Sequence, residues 1–189
     1  TTTGYVNAGA SALSVLTETN YLGGSAKALT EARQFNSCPI LRKDFTIDEY
    51  QIIEAKSIGA DVILLIAAVL SKEEIKSLTA VAVSLGLEVL LEIHEAEELE
   101  KADVSHHLIG INNRNLKTFE VNLEHSIALS ELLPKDVIKI AESGISKSEN
   151  ILLLKQHGFN GFLMGEHFMK EHQPEIACKK FIESLSVSV

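Results

Sequence analysis

Four polar residues stand at matching places in this sequence: Lys43, Glu92, Asn112 and Glu142. Each closes a short run of strand-forming residues, and each shares the phase of the residue two positions earlier: Leu41, Leu90, Gly110 and Ile140. Strand side chains alternate faces with period two. If the polar member is the last inward residue of each strand, the four heads converge on one mouth. Any one of them also reads as an ordinary strand end, solvated or paired with a loop; the four in phase point to a site. A lysine flanked by carboxylates in a partly dry mouth suits acid–base work. The carboxylates keep Lys43 charged, and Lys43 keeps Glu92 and Glu142 ionised unless desolvation wins. Such a cation can protonate a carbonyl or a hydroxyl leaving group while a glutamate removes a proton elsewhere.

A second constellation is Glu142-Ser143-Gly144-Ile145 together with Gly161 to Glu166. In barrels of parallel strands, the last strand-to-helix loops commonly hold phosphate by backbone N–H groups and a short helix N-terminus. Glycines at 144 and 165 let a backbone approach an anion closely, although each also reads as a plain strand-to-helix turn. Glu166 repels phosphate, so binding there must come from N–H groups rather than from its side chain.

Other polar residues read more quietly. His106 and His107 are adjacent, precede a strand and are expected as solvated loop histidines. His94 follows Glu92 by two and could reach the mouth, but a loop role is the expectation. His167 and His172 lack an i, i+4 relation and no HExxH run occurs, so no metal site is expected. Cys38 precedes Pro39 at a strand start and is expected as a packed thiol. Gly23-Gly24-Ser25 reads as a turn followed by a helix cap.

These residues need a scaffold of short strands alternating with helices. The strands are expected at Ala12–Thr17, Pro39–Lys43, Val62–Ile66, Glu88–Ile93, Leu108–Asn112, Val137–Glu142 and Gly161–Gly165. The clearest helix runs from Lys72 to Leu85, with Ile75, Leu78, Val81, Ala82 and Leu85 on one face. Ser71 and Glu74 open it as a capping box, and Gly86 closes it. Asp48 with Gln51, and Ser146 with Glu149, are read as two further boxes, the last opening a helix that ends at Gly158. Strands separated by helices are parallel, because each crossover returns the chain to the same end of the sheet. An open sheet for a dinucleotide would carry a glycine fingerprint after its first strand, and there is no GxGxxG. Polar residues at several strand ends fit a (β/α)8 TIM barrel instead, with seven of its eight strands visible. No linker or charge block interrupts the series, so 1–189 is read as a single barrel domain.

Composition sets the outer bounds. The 189 residues are 46% apolar and 23% charged, with 17 Lys and Arg against 26 Asp and Glu, a net charge of −9. An acidic surface lacks the footprint that nucleic acid or anionic lipid requires, so neither partner is expected. The longest apolar run, Val62 to Leu70, falls well short of the roughly 20 residues of a membrane span, and no signal-peptide pattern opens the chain. Two isolated cysteines, Cys38 and Cys178, form no framework and suit a reducing compartment. A cytoplasmic location is expected.

Taken in order, Ser14 to Glu18, Gly24-Ser25, Leu41 to Phe45, Gly59-Ala60-Asp61, Leu64 to Ile66, Gly110 to Leu116 and Ala141 to Ile145 closely resemble the indole-3-glycerol phosphate synthase family of tryptophan biosynthesis. The likeness covers essentially the whole chain, with LRKDF and GINNRNL its most specific segments. It implies a lyase that closes the pyrrole ring of 1-(2-carboxyphenylamino)-1-deoxyribulose 5-phosphate, a small sugar-phosphate substrate, releasing carbon dioxide and water without any cofactor. By that similarity Lys43 is the general acid at the ketose carbonyl, Glu92 serves proton transfers in the dehydration, Glu142 stabilises the cationic intermediate and Asn112 orients substrate. Ser143, Gly144, Gly165 and Glu166 hold phosphate through backbone N–H groups, and Arg114 contacts the anthranilate end. The family also carries a first strand with Glu-x-Lys and then Ser-Pro-Ser, which nothing here matches. The chain is therefore expected to be incomplete at its N-terminus and impaired as it stands. For the full-length protein a monomer is expected. Two alternatives stay open: another phosphate-binding barrel enzyme, such as an isomerase of the same pathway, or a catalytically defective barrel that only binds.

Overall fold

The computed structural model describes residues 1–103, 106–115 and 118–187. Leu116, the last residue of the GINNRNL segment, lies outside the described residues. The described elements are α1 (Thr2–Ala8), β1 (Leu13–Leu16), α2 (Ala26–Phe35), β2 (Ile40–Lys43), α3 (Glu49–Ser57), β3 (Val62–Ile66), α4 (Lys72–Ser84) and β4 (Glu88–Ile93). A 3-10 turn (Ala96–Lys101) leads to β5 (Leu108–Asn112), α5 (Leu123–Glu131), β6 (Ile138–Glu142), α6 (Ser148–Gln156), β7 (Gly161–Leu163), α7 (Glu166–Met169) and α8 (Pro174–Val187). The seven strands follow chain order in the sheet. The chain divides into two compact units, Thr1–Leu91 and Glu92–Val189.

In the first unit β2 is the parallel partner of both β1 and β3, with Leu16 beside Lys43 and Arg42 beside Ile63. Both faces of a parallel sheet between helices are covered, which is why β3 can be apolar without alternation; Ile63, Leu64 and Leu65 are fully buried. The helices offer the matching stripes: Leu29 and Ala32 from α2, Ile52 and Ala55 from α3, Ile75, Leu78 and Ala82 from α4. The capping boxes at Asp48 and Ser71 both form, and Gly86 follows α4 with φ +69°. Gly24 answers a closer demand. A Cβ there would lie 2.2 Å from the Leu16 carbonyl oxygen, so only glycine lets the loop fold back over the end of β1. At the opposite end, Arg33 bonds Asp61 at 2.8 Å and reaches the carbonyls of Asn36 and Cys38, while Asp61 also accepts the Ile40 N–H.

In the second unit β6 is the parallel partner of β5 and β7, and the register sets Asn112 beside Glu142 and Glu142 beside Leu163. Ile109, Ile111, Ala141, Ile151, Leu154 and Phe159 form its core. Phe168 of α7 meets Phe181 of α8 edge to face at 5.7 Å. On the same helix Cys178 is buried, and desolvation pushes its thiol up from the ordinary value.

Three expectations fail here. The box at Ser146 does not form: α6 starts at Ser148 with Lys147 as its N-cap and no side-chain cap bond. Ser146 stands one residue too early to reach the first N–H groups. His106 is not a solvated loop residue either. Adjacent residues point to opposite sides, and here one side is the interior: His106 is buried with Nδ1 3.1 Å from Asp103, while His107 is exposed. Cys38, expected to be packed, is half-exposed.

Candidate active site

Most of the predicted site residues fall on successive strand ends of the second unit. Glu92, near the end of β4, is 2% exposed. Its Oε1 accepts from Asn112 Nδ2 at 2.9 Å and lies 3.1 Å from His94 Nε2. Asn112 ends β5 in register with Glu142, which has no exposed surface. Two buried carboxylates and an amide thus share one face of neighbouring strand ends, where burial sharpens every electrostatic interaction.

His94 departs from its expected loop role. It is two residues past Glu92, so the strand's alternation still aims it the same way, and its imidazole is buried. Its N–H donates to Glu98 at 2.7 Å, and its carbonyl oxygen is 2.8 Å from His125 Nε2. The backbone on both sides of the ring is therefore fixed.

Asn112, Asn113 and Arg114 each tie a different strand end. Asn112 holds Glu92 on β4, and its Oδ1 accepts the Arg114 N–H at 2.9 Å. Asn113, turned the other way and buried, donates from Nδ2 to the Ser143 carbonyl at 2.8 Å, beyond β6. Arg114 bonds Glu166 at 2.6 Å, beyond β7. Glu166 also takes Lys170 Nζ at 2.7 Å, and hydrogen bonds from Lys170 and then Arg114 hold its carboxyl below the usual range. Sequence reasoning missed Asn113. The one available signal was its place between two residues that it did single out.

The turn after β6 is conformationally special. Ser143 and Gly144 are both left-handed, at φ +65° and +68°. A Cβ on Gly144 would strike Val121 Cγ1 at 2.3 Å, so glycine is required there twice over. Gly165 is the N-cap of α7 and has open space beside its Cα.

Lys43 belongs to the first unit, at the end of β2 and half-buried. Its neighbours Arg42 and Asp44 point to the opposite face and are buried. Arg42 donates to Thr17 Oγ1 at 2.9 Å, Asp44 at 3.1 Å, Glu54 at 2.7 Å and the Gln51 carbonyl at 2.7 Å. Asp44 accepts further from Thr17 Oγ1 at 2.6 Å and from the Phe45 N–H. Among the described residues no group of three or more His, Cys, Asp or Glu could hold a metal ion. No described helix is long and apolar enough to cross a membrane.

Solved structures share this architecture. A 3-hexulose-6-phosphate synthase of Salmonella typhimurium superposes with TM-score 0.80 at 13% identity, over 98% of this chain and 90% of its own. A mutant tryptophan synthase alpha-subunit of Pyrococcus furiosus gives 0.71 at 18%, over 100% and 92%. Such likeness shows the fold, a TIM barrel. Sequence relatives go further. A protein of Bacteroides thetaiotaomicron named indole-3-glycerol phosphate synthase is 50% identical over 96% of this chain and 70% of its own length. One of Polynucleobacter necessarius with the same name is 49% identical over 92% and 65%. The chain thus spans about two thirds of the length of these relatives. The model of the family described as indole-3-glycerol phosphate synthase matches residues 1–181, and with relatives of this identity the chain belongs to the indole-3-glycerol phosphate synthase family.

Proposed function

We propose that the protein closes the pyrrole ring of 1-(2-carboxyphenylamino)-1-deoxyribulose 5-phosphate, releasing carbon dioxide, water and indole-3-glycerol phosphate. The observation that supports this most directly is the buried Glu92–Asn112 bond with Glu142 next in register, in a chain of this family. Ring closure needs a proton at the ketose carbonyl, and Lys43 is the general acid. Attack by the anthranilate ring carbon then leaves a cation, which Glu142 stabilises until carbon dioxide departs. Dehydration needs protons moved at a second centre, and Glu92 carries them. Asn112, braced on Glu92, orients the substrate. Backbone N–H groups of Ser143, Gly144, Gly165 and Glu166 bind the phosphate. Arg114 meets the anthranilate end with the guanidinium donors that Glu166 leaves over. No cofactor is required, since each step is a proton transfer, a carbon–carbon bond change or loss of water. A soluble sugar-phosphate substrate and the free thiols of Cys38 and Cys178 suit a cytoplasmic setting.

The test is direct. Protein that carries the first strand the family resemblance implies, purified from a host lacking its own synthase, is given the substrate without added metal, and product is followed by indole fluorescence. Product formation that disappears in Glu92→Gln supports the assignment. A folded protein that forms none overturns it.

A further inference from the structure

We infer that Asn113 is a positioning residue for phosphate binding, acting by holding Ser143 in a backbone conformation that serine does not choose for itself. This rests on the phosphate reading of the turn after β6 given above.

Three observations converge. First, Ser143 has φ +65° directly before Gly144 at +68°. Glycine visits that region freely, whereas a Cβ crowds the carbonyl there, so something outside Ser143 must hold it. Second, a buried side chain holds the Ser143 backbone: Asn113 Nδ2 donates to the Ser143 carbonyl at 2.8 Å. Because that carbonyl can only accept, the amide orientation is fixed by chemistry. Third, Asn113 is itself immobilised. Its N–H donates to the Glu142 carbonyl at 2.8 Å, and its own carbonyl accepts the Asn122 N–H at 2.9 Å. Its Oδ1 is buried with no hydrogen-bond partner among the described residues. An amide kept in the interior with one oxygen unsatisfied gives up stability, which is the mark of a group retained for what its other end does.

The turn direction of Ser143 decides where the N–H groups of Ser143 and Gly144 aim. Release of the Ser143 carbonyl lets that residue relax to an ordinary conformation, and the donors swing away from the anion. Asn113 touches no substrate in this account; its effect passes through Ser143.

The experiment compares the protein with Asn113→Ala, Ser143→Gly and the double variant. Without ligand, backbone chemical shifts report φ at residue 143. With ligand, steady-state kinetics give KM and kcat, and inorganic phosphate is titrated as a competitive inhibitor. Asn113→Ala should move residue 143 out of the left-handed region and raise both KM and the phosphate inhibition constant about tenfold, the scale of one lost conformational bias. The kcat at saturation should change far less. Adding Ser143→Gly, which tolerates the conformation unaided, should restore affinity. Unchanged shifts at residue 143, or an affinity loss that Ser143→Gly does not repair, overturns the inference. If Asn113→Ala does not fold, Asn113→Ser is read in the same way. Should the unaltered protein show no response to phosphate, the phosphate reading fails; the ligand-free shifts still decide whether Asn113 sets the turn.

Discussion

Two sets of strand ends hold buried polar groups in very different ways. At the end of β2, Arg42, Asp44, Thr17 and Glu54 satisfy one another, and backbone groups take the remaining bonds. At the ends of β4 and β5, Asn113 Oδ1 and the His94 ring nitrogens are buried without hydrogen bonds among the described residues, although His94 Nε2 lies 3.1 Å from Glu92 Oε1. A closed network holds a backbone in place, while an incompletely satisfied one keeps capacity for a ligand at some cost in stability. On the proposed assignment a similar division runs within β2, where Lys43, the residue assigned as the acid, stands between the buried Arg42 and Asp44.

Substitutions can break that contrast. The largest effect is expected in rate: in protein carrying the family's first strand, Lys43→Ala should slow indole-3-glycerol phosphate formation by about 10²–10⁴ while denaturant unfolding hardly changes. A variant retaining near-normal turnover would remove Lys43 from its assigned role. Arg42→Met should show the opposite signature. It strands the buried Asp44 carboxylate, and losing one partner of a buried pair costs about 3–5 kcal/mol, read as a lower urea midpoint. A loss below about 1 kcal/mol would show that the β2 cluster is not a closed network. Asn112→Ala should cut kcat about tenfold, with stability within about 1 kcal/mol of the parent; a stability loss as large as that of Arg42→Met would erase the distinction.

The smallest effect is a pH dependence. Burial pushes His106 below its ordinary value, against the pull of Asp103. The unfolded chain therefore takes up the proton first. Stability is full above the ordinary histidine value of about 6.5 and falls as pH drops from there toward the folded value. Urea midpoints from pH 8 to 5 should show that decline, and His106→Gln should flatten it. A parent protein with no slope in that window would place the imidazole in solvent.

The sequence was most informative where local chemistry repeats. All seven strands appear within a residue or two of their expected bounds, because a buried parallel strand between helices has few other readings. The boxes at Asp48 and Ser71 form because each hydroxyl or carboxylate stands directly before its first helical residue. Ser146 has the same spacing to Glu149 but stands one place off the helix start, a difference that spacing alone does not contain. His94 and His106 were misjudged for a related reason. Periodicity tells which faces residues share, but a strand end does not announce whether its next residues still face inward. Asn113 was invisible for the opposite cause: its partner is a main-chain carbonyl, and no residue type signals that.

The buried thiol on α8 turns the two cysteines into a clock. Thiolate is the reactive form, and Cys178 has its thiolate suppressed by burial whereas Cys38 is half-exposed. An alkylating reagent at neutral pH should therefore modify Cys38 promptly and reach Cys178 only when α8 lifts from its neighbours. The lag between the two mass increments measures how often that helix opens, with no engineered label needed.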